Sequence, residues 1–307
     1  MKNETSVQYF YLLSFSGETR SKPFIMAFFF LIYVVGVLIN FSIITVIFLK
    51  VNLHKPMYLF ICNLSIVDIF YTSVTVPKLL HMLLSGNHIV SSAQCYTQFY
   101  FFSFIASTEG ILLFVMACDR YVAICDPLHY HQILSWRNCS LITFGIWAAA
   151  LSNSTIFVIF AVYMSSCHSN VIHQFFCDVK SLTRTNCTIT KLFLVFTNLE
   201  MVIFVFIPIM CTIVSYFQIF SIIFKMSKKS RKKAFSTCSS HVTVVSIYYG
   251  AGLVGYLIPA YSDVLDSIFN IIYTTIVPMI NPIIYSLQNS NVQAALLWLM
   301  MEMCLLK

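Results

Sequence analysis

Long apolar stretches alternate with short polar ones along the chain. Each apolar stretch is near or above the roughly 20 residues that a helix needs to cross a bilayer. The pattern therefore predicts an all-α membrane protein, a seven-transmembrane helix bundle occupying residues 24–287. The predicted spans are Phe24–Leu49, Met57–Leu84, Ala93–Ile124, Leu141–Tyr163, Leu192–Phe224, Ala234–Pro259 and Ser267–Leu287.

The two ends of the chain differ from these spans. Residues 1–23 are polar and mixed, and Asn3 begins an Asn-Glu-Thr sequon that predicts N-glycosylation if this end is extracellular. Residues 288–307 combine Trp298 with several Leu and Met residues, a composition typical of a short amphipathic helix on a membrane surface. Seven spans would place the two ends on opposite sides of the membrane.

Composition excludes a soluble globular protein. Of 307 residues, 59% are hydrophobic and 9% are charged, whereas globular domains carry about 25% charged residues. So few charges cannot cover the surface of a chain with this much apolar area. We therefore expect a multi-pass membrane protein.

The basic residues indicate the orientation. An excess of Lys and Arg marks the cytoplasmic side. We therefore predict that residues 1–23 are extracellular, that the tail of residues 288–307 is cytoplasmic and that the protein lies in the plasma membrane. The net charge of +7 then reflects the membrane topology, and the basic residues would contact anionic membrane lipid. We expect no nucleic-acid partner. The predicted cytoplasmic cations are Lys50, Lys55, Arg120, Arg137, Lys225, Lys228, Lys229, Arg231, Lys232, Lys233 and Lys307.

An acid and a base stand side by side, Asp119 and Arg120, at the cytoplasmic end of the third predicted span. Arginine keeps its charge, so Arg120 must be paired, hydrated or bound to a partner. We interpret the pair as a switch in which Asp119 restrains Arg120 until another group receives it. Near the same side, Asn281-Pro282-Ile-Ile-Tyr285 combines a kink, an amide and a phenol, which indicates a second two-state element.

Three carboxylates are predicted inside spans, Asp68, Glu109 and Glu200. A charged group at membrane depth costs about 3 kcal/mol on insertion scales, so each must face the interior, pair, protonate or bind a cation. Asp68 and Glu109 form a candidate cation pocket with Asn40 and Asn281, and a neutral hydrogen-bonded core cluster is the alternative. Glu200 lies within reach of a small ligand, and its alternatives are protonation or snorkelling.

Four of the eleven cysteines are predicted outside, where an oxidising compartment favours disulfides. Four cysteines allow three pairings, which their spacing cannot rank. Cys177 could also join His173 and Asp178 as a metal ligand, but a disulfide would remove its thiolate, and no metal site is predicted. The four are Cys95, Cys167, Cys177 and Cys187.

Several motifs together resemble known receptors. Asp119-Arg120-Tyr121, the interior Asp68 and the Asn281–Tyr285 motif are similar to the signature set of rhodopsin-like G-protein-coupled receptors. Five segments, in order along the chain, resemble the olfactory receptor family. One difference is Cys118, which stands where that family usually has Tyr. These segments are Leu53–Phe60, Met116–Cys125, Ser215–Tyr216, Lys233–His241 and Pro278–Asn289.

The resemblance implies an odorant receptor. A small organic odorant would bind in the outer half of the bundle, and the cytoplasmic end would activate a heterotrimeric G protein of the olfactory, cyclase-stimulating class. Arg120 would exchange Asp119 for the G protein, while Tyr216 and Tyr285 approach and hold the open form. The resemblance also implies two disulfides, Cys95–Cys177 and Cys167–Cys187.

The same resemblance supplies ligand-binding candidates by position. They lie on the third, fifth, sixth and seventh spans, and ordinary helix packing is the alternative role for each of them. They are Phe99, Phe102, Ser103, Phe104, Ala106, Ser107, Glu200, Met201, Phe204, Tyr249, Gly252, Leu253, Tyr256, Ile271 and Thr274.

Other functions would share some of these features. A non-olfactory chemoreceptor of the same fold would carry the same motifs. Interior carboxylates would suit a cation channel or transporter, but the chain has no inverted repeat or filter-like loop. The spans hold no metal-ligand pair such as His-Glu-x-x-His, so we expect neither an enzyme nor a cofactor.

Overall fold

The computed structural model describes residues 9–13, 22–163, 170–185, 190–257 and 263–305. Helices form most of this part of the chain. In chain order they are α1 (Lys22–Leu49), α2 (Pro56–Ser85), α3 (Ser92–Cys125), α4 (Tyr130–Ile133), α5 (Trp136–Tyr163), α6 (Val179–Thr185), α7 (Lys191–Met201), α8 (Ile207–Ile223), α9 (Lys228–Leu257), α10 (Asp263–Ile271), α11 (Val277–Gln288) and α12 (Ser290–Leu305).

These helices build a seven-transmembrane bundle. The first to fourth spans are α1, α2, α3 and α5, the fifth is α7 with α8, the sixth is α9 and the seventh is α10 with α11. Within the described residues, six stretches are long and apolar enough to cross a membrane, and α9 is the more polar seventh. The third span contacts the second, fourth, fifth and sixth spans, so it forms the centre of the bundle.

Local sequence signals set several helix ends. The Ser91 hydroxyl accepts the Gln94 N–H at 3.2 Å, and the Gln94 side chain accepts the Ser91 N–H at 3.2 Å, a capping box that starts α3. Pro56 occupies the first turn of α2, where its missing N–H costs nothing. Gly86 ends α2 with φ at 66°, a left-handed conformation that glycine adopts without strain.

Two spans, the fourth and the sixth, begin well before their apolar windows. The fourth begins at Trp136 rather than at Leu141, because the Ser135 hydroxyl accepts the Asn138 N–H at 3.3 Å and caps a polar first turn. The sixth begins at Lys228 rather than at Ala234. Lys and Arg are good helix formers, but an apolar window cannot detect a helix that continues into a charged segment.

The fifth and seventh spans each contain a π-helical turn just before a proline. Val202–Phe206 precedes Pro208, and Ile272–Ile276 precedes Pro278. Proline has no N–H to donate to the carbonyl four residues earlier, and the i→i+5 pattern accommodates that missing bond. Such turns are frequent at functional sites, and both of these face the cavity described below.

A small sheet covers the outer end of the bundle and adds to the predicted all-α architecture. Strand β1 (Tyr9–Leu12) is central, β2 (Ile89–Ser91) pairs with it antiparallel, and β3 (Val171–Ile172) pairs with it parallel. The sheet joins the N-terminal segment to the loops that follow the second and fourth spans. Phe10 and Leu12 are fully buried, whereas Tyr9 and Tyr11 on the other face are exposed.

The tail helix α12 is attached to the end of the first span and the start of the second. The Lys50 ammonium lies 3.2 Å from the centre of the Trp298 ring, a cation–π contact. The Tyr58 hydroxyl donates to the Asn289 side chain at 3.3 Å and accepts from the Asn291 amide at 3.1 Å. These contacts fix the start and the middle of α12 against the bundle.

Candidate functional site

A cavity of about 210 Å³ opens between the third, fifth, sixth and seventh spans, beneath the loop that follows the fourth span. Its wall is mostly apolar and aromatic, with a few polar groups, as in typical small-molecule sites. The lining residues are Phe102, Ser103, Ala106, Ser107, Phe157, Asp178, Val179, Lys180, Glu200, Met201, Phe204, Val205, Tyr248, Tyr249, Ala251, Gly252, Leu253, Asn270 and Tyr273.

The loop that covers the cavity is fixed in three ways. A disulfide joins Cys177 to Cys95 at the top of the third span, as the resemblance implied. Gln98 accepts the Cys177 N–H at 3.1 Å and donates to the Val74 carbonyl at 3.0 Å, which connects the loop to the second span. The buried Phe176 ring lies 4.7 Å from the Phe102 ring. The loop therefore forms a firmly held lid.

Asp178 is the lid's acidic group at the cavity. Its carboxylate accepts the Ser181 N–H at 2.9 Å and caps the short helix α6. Burial raises the pKa of Asp178, while the Ser181 hydrogen bonds and the charges of Lys180 and Arg184 act in the opposite direction. This carboxylate thus already has donors and cations of its own within the lid.

Glu200 supplies the cavity's carboxylate on the fifth span. It is partly buried, and the Asn153 side chain of the fourth span hydrogen-bonds it. The Asn153 amide also donates to the Ser107 hydroxyl at 2.9 Å. Three spans therefore meet in a polar chain, Ser107 to Asn153 to Glu200, on one side of an otherwise aromatic cavity.

Three tyrosines form the floor of the cavity. The Tyr248 hydroxyl donates to the Ala106 carbonyl at 2.7 Å, and the Tyr249 hydroxyl donates to the Gly110 carbonyl at 2.9 Å. The Tyr273 hydroxyl donates to the Tyr248 oxygen at 3.1 Å. These bonds tie the sixth span to the third and the seventh, so a ligand on the floor touches the contacts between three spans.

The structure brings ten of the sequence-predicted ligand candidates to the cavity wall. These are Phe102, Ser103, Ala106, Ser107, Glu200, Met201, Phe204, Tyr249, Gly252 and Leu253.

Four other candidates lie in packing contacts. Phe99 packs against Phe157 with ring centres 6.0 Å apart, and Phe104 packs against Trp147 at 5.4 Å. Thr274 is buried and donates to the Asn270 carbonyl at 2.7 Å. Ile271 packs against the outer core. The Tyr256 side chain is outside the described residues.

Sequence reasoning did not identify several wall residues. Phe157 lies on the fourth span. Asp178, Val179 and Lys180 belong to the lid, and only the folded loop brings these three to the cavity. Tyr248 and Tyr273 had a usable signal, because a phenol inside an apolar span needs a hydrogen-bond partner. The rest of this group are Val205, Ala251 and Asn270.

Below the floor, the second, third and seventh spans meet at a buried polar cluster. The Asn281 amide donates to Asp68 at 3.0 Å and to Glu109 at 3.1 Å. Within the described part, one oxygen of each of these three side chains has no hydrogen-bond partner, and neither does the Asn40 oxygen. The Asn40 amide donates to the Gly36 and Pro278 carbonyls, at 3.1 and 3.4 Å, and links the first and seventh spans.

At the Arg120 end of the third span, the Asp119 side chain is held by a hydrogen bond from the following loop. Its carboxylate is buried and accepts the Tyr130 hydroxyl at 2.8 Å. No ion pair within 4 Å joins Asp119 to Arg120, although both residues are described. The Tyr216 hydroxyl is hydrogen-bonded to the His241 ring at 2.7 Å, which connects the fifth and sixth spans. Tyr121 packs against the same cluster of side chains.

Some sequence expectations lie outside the described residues. Cys167, Cys187 and Asn3 are in undescribed segments, and the side chain of Tyr285 is also undescribed although its backbone continues α11 past the buried Pro282. The second disulfide and the glycosylation site therefore stay predictions.

Comparison with known proteins gives a consistent family. The sequence model of a family described as "Olfactory receptor" matches residues 29–303. The chain is 39% identical over 296 residues to Olfactory receptor 1A1 of Pan troglodytes, with 96% of each chain covered. It is 40% identical over 297 residues to Olfactory receptor 2L2 of Homo sapiens, and the alignment covers 96% of this chain and 95% of that receptor. It is also 38% identical over 299 residues to Olfactory receptor 5B21 of Mus musculus, with 96% and 94% covered.

Proposed function

The chain belongs to the olfactory receptor family, and we propose that it detects a small organic ligand in the cavity beneath the lid and activates a cyclase-stimulating G protein. Membership makes it a G-protein-coupled odorant receptor and not an enzyme. The location of the ligand and the class of G protein are the parts that we propose. The lidded aromatic cavity is the observation that carries this proposal.

The cavity suits a ligand that gains mainly from apolar burial. Burial contributes about 25 cal/mol per Å² of apolar surface, and a few polar groups at the wall would orient the molecule. The lid, held by its disulfide, lies over the cavity. A ligand can activate the receptor only if it binds the active packing more tightly than the resting one.

The cytoplasmic end suits a protein partner. Arg120 lies next to the Asp119–Tyr130 bond, and a run of basic residues begins α9. An outward movement of α9 would open the cluster around Tyr216 and expose Arg120 to the G protein. The excess of cations on this side supports a cytoplasmic location for it, with the N-terminus outside.

A matched pair of substitutions tests the proposed binding site. Ser103 lines the cavity, whereas Ser152 is exposed on the outer face of the fourth span. We expect Ser103→Phe to fill the cavity and raise the half-maximal concentration of an agonist by about tenfold or more, since overpacking costs 1–3 kcal/mol. Ser152→Phe should leave the response unchanged.

The measurement is cyclic AMP in cells that express the receptor and are exposed to a panel of small organic compounds. Antibody binding to an N-terminal epitope on intact cells reports surface delivery and the outside position of that end. Agonists that act equally on Ser103→Phe, or that raise cyclic AMP in cells without stimulatory α subunits, would contradict the proposal.

A further inference from the structure

Most polar groups at the cavity wall already have partners. The hydroxyls of Tyr248 and Tyr249 donate to backbone carbonyls, and the Tyr273 hydroxyl donates to the Tyr248 oxygen. These three residues therefore present mainly their rings to a ligand. With Phe102, Phe157 and Phe204 they make an aromatic wall.

The charged groups of the lid act on one another. Lys180 and Arg184 both act on Asp178, whose carboxylate in addition accepts the Ser181 N–H. For Glu200, burial and the Asn153 hydrogen bond are the described influences.

Glu200 therefore differs from every other charged group at the cavity. Within the described residues, no Lys, Arg or His nitrogen lies within 4 Å of its carboxylate. Asn153 is a neutral donor and already donates one hydrogen to Ser107. A carboxylate at this depth is costly until a cation or a proton compensates it.

From this arrangement, and resting on the proposed function, we infer that the receptor detects small protonated amines, with the ligand's ammonium group paired to the Glu200 carboxylate. A primary amine is charged at neutral pH, as the Lys side chain is. The ammonium gains a charge-assisted hydrogen bond and cation–π contacts with the faces of neighbouring aromatic rings. Ser103 and Asn270 remain as neutral polar groups that orient the rest of the molecule.

The size of the cavity limits the body of the amine. An apolar cavity of about 150 Å³ in another protein binds benzene, and this one measures about 210 Å³. An amine with one ring or a short branched chain therefore fits. A carboxylic acid of the same skeleton would place a second negative charge beside Glu200, and an alcohol would leave the carboxylate without a cation.

Binding to the purified full-length receptor tests the inference without a G protein. The probes are 2-phenylethylamine and cyclohexylamine, each compared with its alcohol and with a carboxylic acid of similar skeleton. Ligand affinity follows from the rise in unfolding temperature with ligand concentration. We expect the amines to bind about tenfold or more tightly than the alcohols, and Glu200→Gln to remove this preference, because losing one partner of a buried charge pair is strongly unfavourable.

Two further variants complete the design. Glu302→Gln makes the same chemical change on the exposed face of α12 and should not alter amine affinity. Glu200→Asp keeps the charge on a shorter side chain and should retain part of the preference for amines, which shows that a loss in Glu200→Gln is not misfolding. Alcohols or acids that bind the native receptor as tightly as the amines, or the absence of amine binding, would overturn the inference.

The two proposals fail in different ways. If alcohols or acids raise cyclic AMP through a site that Ser103→Phe blocks, the receptor function stands and the amine assignment is wrong. If amines bind at Glu200 but never raise cyclic AMP, the amine assignment stands and the proposed G-protein class is wrong.

Discussion

The phenol of Tyr130 holds the Asp119 carboxylate from the loop that follows the third span. Burial and the neighbouring Asp119 charge raise the pKa of Tyr130, so this phenol stays protonated and remains a donor at physiological pH. A hydrogen bond to a charged group contributes about 1.5–3 kcal/mol. This bond is therefore strong enough to bias a two-state equilibrium at this end of the bundle.

Removing that hydroxyl should favour the active packing. We expect Tyr130→Phe to raise cyclic AMP measured without ligand about threefold or more, because a resting-state bond of that strength is lost. Tyr163→Phe provides the matched control, since Tyr163 is 84% exposed at the end of the fourth span. Unchanged basal signalling in Tyr130→Phe, at equal surface expression, would show that the bond does not stabilise the resting state.

Sequence reasoning identified Asp119 and Arg120 and left open whether Asp119 or another group holds Arg120. Adjacent residues on a helix point in different directions and do not face each other. Tyr130 could not be predicted as the partner, because it follows the helix break at Pro127 and reaches Asp119 only through the fold of the loop. Glu200 was predictable, since a carboxylate in an apolar span requires an explanation.

Among the elements, the strand β1 connects the N-terminal segment to the loops that follow the second and fourth spans. Phe10 on its inner face is fully buried and makes an edge contact with Tyr96, ring centres 6.3 Å apart. Phe175 and Phe176 of the lid belong to the same core cluster. The strand therefore supports the lid from outside.

Truncating the inner face of β1 should loosen this support. Replacing a buried Phe by Ala typically costs 3–5 kcal/mol, so we expect Phe10→Ala to lower the unfolding temperature of the purified receptor by several degrees. Tyr9→Ala truncates a residue that is 53% exposed on the same strand and should have little effect. Equal unfolding temperatures for both variants would argue against a supporting role for β1.

The elements differed in how far they could be predicted. Hydrophobic length indicated the spans, because a helix in lipid must satisfy its own backbone hydrogen bonds. The four-residue strand β1 pairs with segments about 80 and 160 residues away, and such non-local pairing leaves little local signal. The prolines indicated kinks, but whether a kink becomes a π turn depends on the neighbouring helices.

At the scale of the whole molecule, a continuous set of contacts connects the cavity with the buried polar cluster. Tyr249 on the cavity floor bonds to the carbonyl of Gly110, which follows Glu109. Glu109 shares the Asn281 amide with Asp68. A ligand that shifts the sixth span against the third would therefore disturb the polar cluster that joins the second, third and seventh spans.

This coupling has a thermodynamic consequence. If the ligand favours G-protein binding, the G protein must favour ligand binding by the same factor, typically 5–150-fold. The reciprocity does not depend on the chemical class of the ligand, so any agonist of the receptor can be used. Arg120 is the residue through which we propose that the G protein acts.

Agonist affinity should therefore be measured on the purified receptor with and without the nucleotide-free stimulatory G protein, for the native chain and for Arg120→Ala. We expect the G protein to raise the affinity of the native receptor at least about fivefold. Arg120→Ala should bind the agonist with the uncoupled affinity and show no rise. An affinity that the G protein leaves unchanged in the native receptor, or raises equally in Arg120→Ala, would contradict the proposed coupling of cavity and cytoplasmic switch.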